Sequence, residues 1–574
     1  MRIGLLQLNA ILADPEANGR RVEEAYARAV AQGADLVLTP EMAIPGYLPE
    51  DRLWETGLRS RIERENQRLR QCAGDVPLVF GTCSPSPSGR LWNELWWCQG
   101  GEARCVARKR VLAMYDIFDE TRYFDPAPEA PALVDFHGMK VGLSICEDLW
   151  ADPDLAPGPI RYAFDPIRDL AERGATLILN ASASPGHLGT WLPAGKHPSW
   201  AQPGKLAMRR RLLQGHAGRY GLPIAYVSRV GSESWLTFDG GSGVVFPDGS
   251  WQGLNDFEEA VQVIDLHRGG EPWQETASEA SWLHQALKLG LRENLRKQGL
   301  EAVVVGLSGG IDSAVVVAMA AEALGPKNVL SVALPTRYTS QESLDLARLQ
   351  AERLGIHHLC LDADAPFAGA TASLANVFPD RTFSLTDENL QSRARGALLM
   401  ALTSEPSVHR LLGTQRLAVL NTGNKSEAAT GYFTLYGDGI GAFGILGDCL
   451  KQRVFALARE LGEAVPLEVV TRKPTAELAP GQTDEASLLP YALLDAILAI
   501  HLETRRPLES LSDDLAELLE GAALDQARAA LPRMLRLLHA SEFKRRQLPF
   551  SLKVSPKAFG LGRRIPLTGT WRES

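Results

Sequence analysis

Short apolar runs alternate with longer stretches of helical apolar spacing through most of this 574-residue chain. Apolar runs of this kind, bounded by turn residues, are typical of buried β-strands. The runs that we predict as strands are Arg2–Leu8, Leu36–Leu38, Leu78–Phe80, Val141–Ile145, Leu177–Leu179, Ile224–Val227, Gly243–Phe246, Val303–Val305, Leu330–Leu334 and Leu417–Leu420. The alternation of strands and helices predicts an α/β fold with mainly parallel sheets.

The alternating pattern is interrupted at residues 267–280, where Gly, Pro and polar residues show no apolar period. An amphipathic helix is predicted from Ser278 to Lys297, and residues 492–540, rich in Leu and Ala, predict further helices. The Pro- and Gly-rich stretch Pro185–Gly204 predicts a long loop. We therefore expect three parts, which are a first domain at 1–268, a linker at 269–280 and a second domain at 281–574.

Composition narrows the function classes. An apolar content of 45% is ample for buried cores, and a net charge of −9 argues against a nucleic-acid partner. The chain begins as a strand rather than a signal peptide, and no apolar run approaches the roughly 20 residues of a membrane span. The seven Cys are scattered and form no CxxC pair, which favours a reducing compartment. We expect a cytoplasmic enzyme that binds neither nucleic acid nor a membrane.

A Gly-rich turn follows the predicted strand Val303–Val305. A strand, a Gly-rich turn and a helix N-terminus form an anion site, because backbone N–H groups there point at phosphate. The usual Gly-Lys-Ser/Thr is absent, and an acid, Asp312, stands beside the turn instead. A carboxylate there makes sense if it holds Mg²⁺ against a pyrophosphate. The alternative is an ordinary turn. The residues concerned are Gly306, Leu307, Ser308, Gly309, Gly310, Ile311, Asp312 and Ser313.

The first domain carries a candidate nucleophile, Cys146, at the end of the strand Val141–Ile145. A thiol needs a base to become a thiolate, and its acyl intermediate needs an oxyanion stabiliser. Taken alone, a Cys at such a place is more often a buried apolar residue. Two segments change this interpretation: Glu41 follows a strand and precedes a Pro-Gly turn, and Lys109 lies in a basic and aromatic string.

In this order, Glu41, Lys109 and Cys146 resemble the triad of the nitrilase/amidase superfamily. The resemblance implies that Glu41 is the general base, that Lys109 stabilises the oxyanion and that Cys146 is the nucleophile. The string from Lys109 through Phe124 is similar to the lysine motif of glutamine-dependent NAD synthetases.

In that family the counterparts of Tyr115, Ser184 and Lys205 contact glutamine, with Lys196 as a rival for the lysine. The chain departs from the family at Ser234 and Trp235, where polar or acidic residues are usual.

The second domain is similar to the same family. The loop Ser308–Ser313 resembles the pyrophosphatase loop of enzymes that adenylate a substrate, such as NAD, GMP and asparagine synthetases. The resemblance implies three sets of residues: for ATP, Gly306–Ser313 with Thr422, Lys451 and Thr475; for deamido-NAD⁺, Arg393, Glu427 and Lys544; and for Mg²⁺, Asp312 and Glu427.

The order of these motifs along the chain is more specific than any one of them, and it is the order found in glutamine-dependent NAD synthetases. The family implies an N-terminal nitrilase-like αββα sandwich and a C-terminal Rossmann-like parallel-sheet domain for an adenine nucleotide. It implies glutamine hydrolysis and ATP-dependent amidation of deamido-NAD⁺ to NAD⁺. We also expect a homo-oligomer. The rival hypotheses are another glutamine-fed adenylating ligase, such as a GMP synthetase, and a non-catalytic binding protein.

Overall fold

The structure, a computed structural model, describes residues 1–130, 133–156, 160–274, 278–473, 477–479, 488–504 and 506–568. The chain divides into two compact units. Unit 1 comprises Met1–Gly186, Lys205–Glu233 and Thr237–Thr276, and unit 2 comprises His187–Gly204, Ser234–Leu236 and Ala277–Ser574.

Unit 1 is built on two six-stranded sheets. Its strands are β1 (Arg2–Gln7), β2 (Leu36–Leu38), β3 (Leu78–Pro85), β4 (Leu91–Gln99), β5 (Glu102–Arg108), β6 (Val134–Phe136), β7 (Met139–Ile145), β8 (Leu177–Ser182), β9 (Ile224–Ser228), β10 (Val230–Glu233), β11 (Leu236–Asp239), β12 (Gly243–Val245), β13 (Trp251–Gly253) and β14 (Ala260–Asp265). The first sheet has the order β14-β1-β2-β3-β4-β5, the second has β13-β12-β9-β8-β7-β6, and β10 pairs with β11.

Apolar contacts place the two sheets face to face. One core cluster joins side chains of the first sheet, such as Leu5 and Val79, to side chains of the second, such as Leu143 and Leu179. The helices cover the outer faces, two on each sheet. They are Pro15–Ala31, Thr56–Arg70, Pro166–Glu172 and Lys205–Tyr220, with 3₁₀ turns at Glu50–Trp54, Glu120–Arg122 and Cys146–Trp150. The α-β-β-α layering expected from the resemblance is therefore confirmed.

The expectation of mainly parallel sheets is wrong for unit 1. Within the described residues of the two six-stranded sheets, β1–β2–β3 and β7–β8–β9 run parallel, and the other pairs are antiparallel. The reason is that hairpin strands extend the central parallel strands. Gly100 and Gly101, with φ of +57° and +82°, form the tight turn between β4 and β5, and Gly-Gly suits such a turn because it accepts positive φ at both positions.

Unit 2 contains one parallel sheet in the order β17-β16-β15-β18-β19. The strands are β15 (Ala302–Gly306), β16 (Val329–Ala333), β17 (His357–Cys360), β18 (Leu417–Asn421) and β19 (Phe443–Gly444). Strand order changes direction on either side of β15, and open parallel sheets bind ligands beyond the carboxyl ends of the strands at such a point. The predicted Rossmann-like arrangement is confirmed.

The other elements of unit 2 in the described ranges are helices and short helical turns. They are Glu279–Lys297, Ile311–Leu324, Gln341–Leu354, Asp364–Ala375, Leu385–Leu402, Pro406–Leu412, Lys425–Thr430, Lys451–Glu460, Leu467–Thr471, Tyr491–Leu498, Leu511–Leu518, Gly521–Ala540 and Glu542–Arg545, with a π-helical turn at Ala499–Glu503 and 3₁₀ turns at Pro326–Asn328, Gly462–Ala464, Leu508–Ser510 and Gly560–Gly562. The predicted helix after Ser278 is confirmed, and Ser278 caps it by accepting the N–H of Ser281. A separate apolar cluster packs the predicted helical layer at residues 492–540 together.

Candidate functional site

The candidate nucleophile lies at the carboxyl end of β7. Cys146 has a φ of +43°, which is uncommon for a residue with a side chain, and it begins the 3₁₀ turn Cys146–Trp150. Asp148 fixes this corner, because its carboxylate accepts the N–H groups of Ile145 at 2.9 Å and of Val111 at 2.9 Å. The same carboxylate therefore joins the turn after β7 to the segment that follows Lys109.

Lys109 is fully buried between two carboxylates. Its Nζ lies 2.8 Å from Glu41 Oε1 and 2.7 Å from Glu120 Oε1. Burial alone lowers the pKa of Lys109, but Glu120 and Glu41 outweigh it, and the pKa lies well above its ordinary value. Lys109 therefore carries a positive charge inside the fold.

The two glutamates are held by different partners. Glu41 also accepts Asn93 Nδ2 at 2.7 Å and the N–H of Ala183 at 2.9 Å. Glu120 accepts the hydroxyl of Tyr47 at 2.8 Å and the N–H of Ala113 at 2.7 Å. Burial raises the pKa of Glu120, with Lys109 opposing the rise. Sequence reasoning missed Glu120, although it lies within the quoted lysine string.

The thiol of Cys146 stays protonated in this environment. Burial and the Glu41 carboxylate raise the pKa of Cys146 well above its ordinary value, and Lys109 only partly offsets them. Only the thiolate is nucleophilic, so attack requires a base that takes the proton as the reaction proceeds.

A cavity of about 10 Å³ lies beside Cys146. It is lined by Tyr47, Lys109, Ala113, Tyr115, Phe118, Cys146, Glu147, Trp150, Ala183, Ser184, Pro185 and Lys205. The structure thus brings Tyr115, Ser184 and Lys205 together here. The rival Lys196 belongs to unit 2, where its Nζ lies 2.9 Å from Glu520.

Glu147 is a second residue that sequence reasoning left without a role. Its carboxylate accepts the hydroxyls of Tyr115 at 3.0 Å and Tyr162 at 2.8 Å. Burial raises the pKa of Glu147 to about 7, against the lowering effect of Lys205. The Nζ of Lys205 in turn lies 3.4 Å from the ring centroid of Trp150. An acid and a base therefore face the cavity close to the thiol.

Unit 2 contains a much larger cavity of about 910 Å³ at the carboxyl ends of its strands. All eight residues from Gly306 to Ser313 line it, together with Thr422, Glu427, Lys451 and Lys544. Its volume is within the range of small-molecule sites.

The Gly-rich turn has the geometry of an anion cradle. Gly309 has a φ of +78°, and a Cβ there would lie 2.4 Å from Ser343 O. Gly310 is the N-cap of helix Ile311–Leu324, whose first N–H groups are available to a phosphate. The hydroxyl of Ser313 accepts the N–H of Ser308 at 3.2 Å and closes the turn.

Charged side chains line the cavity beside the turn Gly306–Ser313. Lys451 Nζ pairs with Asp312 Oδ2 and lies 3.7 Å from Glu427 Oε1. Asn424 Nδ2 donates to Asp312 Oδ1 at 3.0 Å. Asp312 and Glu427 therefore present two carboxylates to the cavity that the anion turn lines, and such hard oxygen donors fit Mg²⁺ with a polyphosphate.

The remaining predicted residues are placed as follows. Lys544 donates to Gly431 O and Phe433 O, both at 2.9 Å, at the cavity wall. Arg393 is exposed and donates to Leu435 O at 3.2 Å; the neighbouring Arg395, not Arg393, is among the lining residues. Thr475 lies outside the described residues.

A third polar cluster, in unit 1, consists of residues that are not among those lining the Cys146 cavity. Ligand-type atoms of Asp152, Asp165 and His216 lie within 4.8 Å of one another in unit 1. The carboxylates already have protein partners, since Asp152 pairs with Arg219 and Asp165 caps helix Pro166–Glu172. We assign no metal to this cluster.

None of the helices in the described ranges combines the length and the hydropathy that a membrane span requires.

The chain matches two family models. Residues 2–271 match the model described as carbon-nitrogen hydrolase, and residues 283–548 match NAD synthase. The glutamine-dependent NAD(+) synthetase of Synechocystis sp. is 36% identical, over 98% of both chains. The one from Rhodobacter capsulatus is 35% identical over 100% of this chain and 99% of that chain.

Solved structures agree with these matches. A glutamine-dependent NAD+ synthetase from Acinetobacter baumannii, in complex with adenosine diphosphate, superposes with a TM-score of 0.72 at 29% identity, covering 100% of this chain and 99% of that chain. The fold is also that of a glutamine-dependent NAD(+) synthetase from Cytophaga hutchinsonii, with a TM-score of 0.78 at 20% identity, 99% of this chain and 98% of that chain being covered.

Proposed function

This chain belongs to the glutamine-dependent NAD(+) synthetases, and from that premise we propose how its residues divide the reaction. The enzyme hydrolyses glutamine to glutamate and ammonia. It amidates deamido-NAD⁺ through an adenylate, using ATP and giving NAD⁺, AMP and pyrophosphate. We assign glutamine hydrolysis to residues 1–268 and the ATP-dependent synthesis to residues 281–574, with 269–280 as the linker.

One observation carries the proposal for the first reaction. Lys109 is held as a buried cation between Glu41 and Glu120, in the cavity that Cys146 lines. Glu41 takes the thiol proton while the sulfur attacks the side-chain amide carbon of glutamine. The positive charge of Lys109 stabilises the oxyanion of the tetrahedral intermediate. The C–N bond breaks, ammonia leaves with the proton from Glu41, and water hydrolyses the glutamyl thioester.

Binding of glutamine requires one protein group that pairs with its α-carboxylate and another that pairs with its α-ammonium. The ammonium of Lys205 suits the α-carboxylate, and Tyr115 and Ser184 supply hydrogen bonds at the same cavity. We assign the α-ammonium to Glu147, whose carboxylate is oriented by Tyr115 and Tyr162.

The second reaction belongs to the larger cavity. The nicotinate carboxylate attacks the α-phosphorus of ATP, and the bond to pyrophosphate breaks. The N–H groups of the turn Gly306–Ser313 receive the departing pyrophosphate, and Lys451 offsets its charge. A Mg²⁺ ion held by Asp312 and Glu427 would neutralise further phosphate charge.

Other contacts complete this site. Thr422 and Thr475 are assigned to ATP, and Arg393, Glu427 and Lys544 to deamido-NAD⁺. Ammonia then attacks the adenylate carbonyl, and AMP leaves as NAD⁺ forms.

The homo-oligomeric state and the cytoplasmic location stay predictions.

The test is NAD⁺ formation from deamido-NAD⁺, ATP and Mg²⁺, with glutamine or ammonia as nitrogen donor. We expect product with either donor, and glutamate release with glutamine. XMP serves as the alternative acceptor. Amidation of XMP in preference to deamido-NAD⁺, or no NAD⁺ from either donor, would contradict the proposal.

A further inference from the structure

Two short helices of unit 2 present charged side chains to the large cavity. Helix Lys425–Thr430 supplies Glu427, and helix Lys451–Glu460 supplies Lys451 from its first position. The Nζ of Lys451 pairs with Asp312 and lies 3.7 Å from Glu427 Oε1. The place of this ammonium in the cavity therefore depends on how the start of the second helix is held.

The helix that Lys451 begins has no capping side chain of its own. Its N-cap residue is Leu450, whose side chain makes no capping hydrogen bond. The first N–H groups of a helix have no partner within the helix, so a buried helix start needs acceptors from elsewhere. The hydroxyl of Ser426 accepts the N–H of Lys451 at 3.0 Å. Asp495 accepts the N–H of Gln452 at 2.8 Å through Oδ2.

Asp495 joins both helices through one carboxylate. Its Oδ1 accepts the hydroxyl of Ser426 at 2.5 Å, and Ser426 lies in the first turn of the helix that carries Glu427. Its Oδ2 holds Gln452, in the first turn of the other helix. Since the two oxygens belong to one rigid group, the carboxylate fixes the spacing of the two helix starts, and with it the spacing of Glu427 and Lys451.

The surroundings of Asp495 give it no other role. It is completely buried, and every other residue of helix Tyr491–Leu498 is apolar or aromatic. Burial raises the pKa of Asp495 to about 7, although the hydrogen bonds from Ser426 and Gln452 oppose the rise. A buried carboxyl group is unfavourable unless it is hydrogen-bonded. The hydrogen bonds to the two helix starts therefore explain why an acid stands in this apolar helix.

Tyr491 holds the other end of Lys451. It lies one turn before Asp495 on the same helix, and its ring centroid is 4.9 Å from Lys451 Nζ. The face of an aromatic ring attracts an ammonium, and more strongly where water is excluded. Both side chains are buried, with 4% of Tyr491 and 1% of Lys451 exposed. One helix thus orients Lys451 twice, at its backbone through Asp495 and at its ammonium through Tyr491.

Holding the ammonium in place has a chemical consequence. In the proposed reaction, negative charge grows on the pyrophosphate as its bond to the α-phosphorus breaks, and Lys451 offsets that charge. A cation that is already in place needs no reorganisation at that moment. A lysine side chain is otherwise flexible and has to be ordered first. Support of Lys451 should therefore affect the rate of synthesis more than the binding of deamido-NAD⁺.

We propose that Asp495 and Tyr491 are positioning residues of the synthetase reaction, which place the ammonium of Lys451 against the departing pyrophosphate. This inference rests on the proposed function, because it assumes that ATP reacts at the turn Gly306–Ser313. Neither Asp495 nor Tyr491 is among the residues that line the cavity, so both act through Lys451 rather than on the substrates.

The experiment uses the full-length enzyme with ammonia as nitrogen donor, so that glutamine hydrolysis does not contribute. Values of kcat, and of KM for ATP and deamido-NAD⁺, are measured for wild type, Asp495→Asn, Tyr491→Phe and Tyr491→Leu. Asp495→Asn offers one acceptor oxygen where the carboxylate uses two. Tyr491→Phe keeps an aromatic face for the ammonium, and Tyr491→Leu replaces the ring with an aliphatic side chain.

Asp514→Asn is the matched control. Asp514 is also a buried acid in a helix of the same apolar layer, but its carboxylate accepts Arg506 and Ser510 instead of the two helix starts. The melting temperature of every variant is measured, and kcat is expressed per folded enzyme. Loss of stability alone then lowers the melting temperature without changing kcat.

In Asp495→Asn and Tyr491→Leu we expect kcat to fall at least about tenfold, with KM for deamido-NAD⁺ within about twofold of wild type. Tyr491→Phe and Asp514→Asn should keep kcat within about twofold of wild type. Tyr491→Leu decides the matter if Asp495→Asn fails to fold.

A double-mutant cycle tests whether the effect passes through the lysine. Tyr491→Leu is also made in a Lys451→Met enzyme. There it should lower kcat by less than about twofold, because the group that Tyr491 positions is already absent.

Wild-type kcat in a folded Asp495→Asn or Tyr491→Leu would overturn the proposal. So would an equal loss in Tyr491→Phe, or an undiminished effect of Tyr491→Leu in the Lys451→Met enzyme, which would show that Tyr491 does not act through the ammonium. Absence of ammonia-driven NAD⁺ formation by wild type would instead contradict the proposed function.

Discussion

At the scale of single residues, charge balance around Cys146 determines the chemistry. Glu41, Lys109 and Glu120 together carry one net negative charge when both acids are ionised. A thiolate beside them would add a second negative charge in a buried place. Burial and repulsion by the Glu41 carboxylate therefore both raise the pKa of Cys146. Proton removal and attack on the substrate are therefore expected to occur together.

The first prediction removes the sulfur. Cys146→Ala should abolish glutamine-driven NAD⁺ synthesis and leave ammonia-driven synthesis near wild type, because the nucleophile serves only the first reaction. Cys360→Ala is the control, since Cys360 is exposed and lies in unit 2. Both activities are measured as NAD⁺ formed. Glutamine-driven synthesis that survives in Cys146→Ala would rule out the triad.

A second prediction concerns pH. The carboxyl of Glu147, with its pKa raised to about 7 by burial, is largely neutral below that pH and ionised above it. Only the ionised form pairs with the α-ammonium, so KM for glutamine should fall as the pH rises through 7. Glu147→Gln should raise KM about 10- to 100-fold, because a hydrogen bond to a charged group is worth about 1.5–3 kcal/mol.

The measurement is KM for glutamine by steady-state kinetics from about pH 6 to 8, a range that spans the titration of the Glu147 carboxyl. The variant should lose the pH dependence of KM, and Glu172→Gln, at an exposed position, should retain it. If KM of the wild-type enzyme is independent of pH, Glu147 does not contact the substrate ammonium.

Sequence reasoning found the residues that stand in ordered motifs and missed those that only the fold brings to the site. Glu41 and Cys146 each follow a predicted strand, and Lys109 stands in a recognisable basic and aromatic motif, so their positions could be predicted. Glu120 and Glu147 could not, because a carboxylate among other polar residues has no periodic signal and its burial depends on how both sheets pack.

At the scale of elements, the apolar runs predicted the central strands to within a few residues. They did not reveal the hairpin strands, although Gly100-Gly101 between two β-rich runs was an available signal. Strand β17 begins His357-His358, and β14 is interrupted by Gln262, so neither forms a continuous apolar run. A strand at a sheet edge or with one polar face requires less apolar sequence.

The third prediction tests the anion turn. Gly309→Ala should reduce NAD⁺ synthesis from either donor at least about tenfold, since even about 1.4 kcal/mol of lost transition-state stabilisation has that effect. The added Cβ would lie 2.4 Å from Ser343 O and would force the turn to move.

Gly325→Ala, at the other end of the same helix, is the matched control. Its φ of +85° imposes comparable backbone strain of about 1–3 kcal/mol, yet no atom lies within 4 Å of a Cβ there. The melting temperature of Gly325→Ala should fall while its synthesis rate per folded enzyme stays unchanged. Equal loss of activity in the two variants would show that backbone strain alone, and not displacement of the anion turn, reduces NAD⁺ synthesis.

At the scale of the whole molecule, one reaction produces the ammonia that the other consumes. At neutral pH, free ammonia is mostly protonated and not nucleophilic, so unregulated hydrolysis would waste glutamine. We therefore expect the two activities to be linked, with a coupling free energy of about 1–3 kcal/mol.

The fourth prediction is that deamido-NAD⁺, ATP and Mg²⁺ together raise glutamate release at saturating glutamine. The rate is compared with and without these substrates, and in Glu427→Ala, whose altered synthetase site should weaken the response. Identical rates in all three measurements would mean that the two sites work independently.

The Pro- and Gly-rich composition of Pro185–Gly204 predicted a loop, and the structure confirms one. Nothing in the sequence indicated that it packs within the second unit, because this depends on buried partners that lie hundreds of residues away along the chain. Glu503 accepts the N–H of Trp191, and Arg453 donates to Gly189 O.

The chain's passage from one unit to the other and back has a consequence for dissecting the enzyme. A fragment ending at residue 268 would keep the segment His187–Gly204 but lose the surface on which Trp191, Leu192 and Trp200 pack. Those side chains would face water, and the N–H of Trp191 would lose its acceptor, Glu503. A fragment starting at residue 281 would keep Glu503 and Arg453 without the segment that they hold. We therefore expect that the modules recognised along the sequence do not fold as separate parts, and that the fragment ending at residue 268, expressed alone, is an aggregation-prone protein rather than a free-standing enzyme.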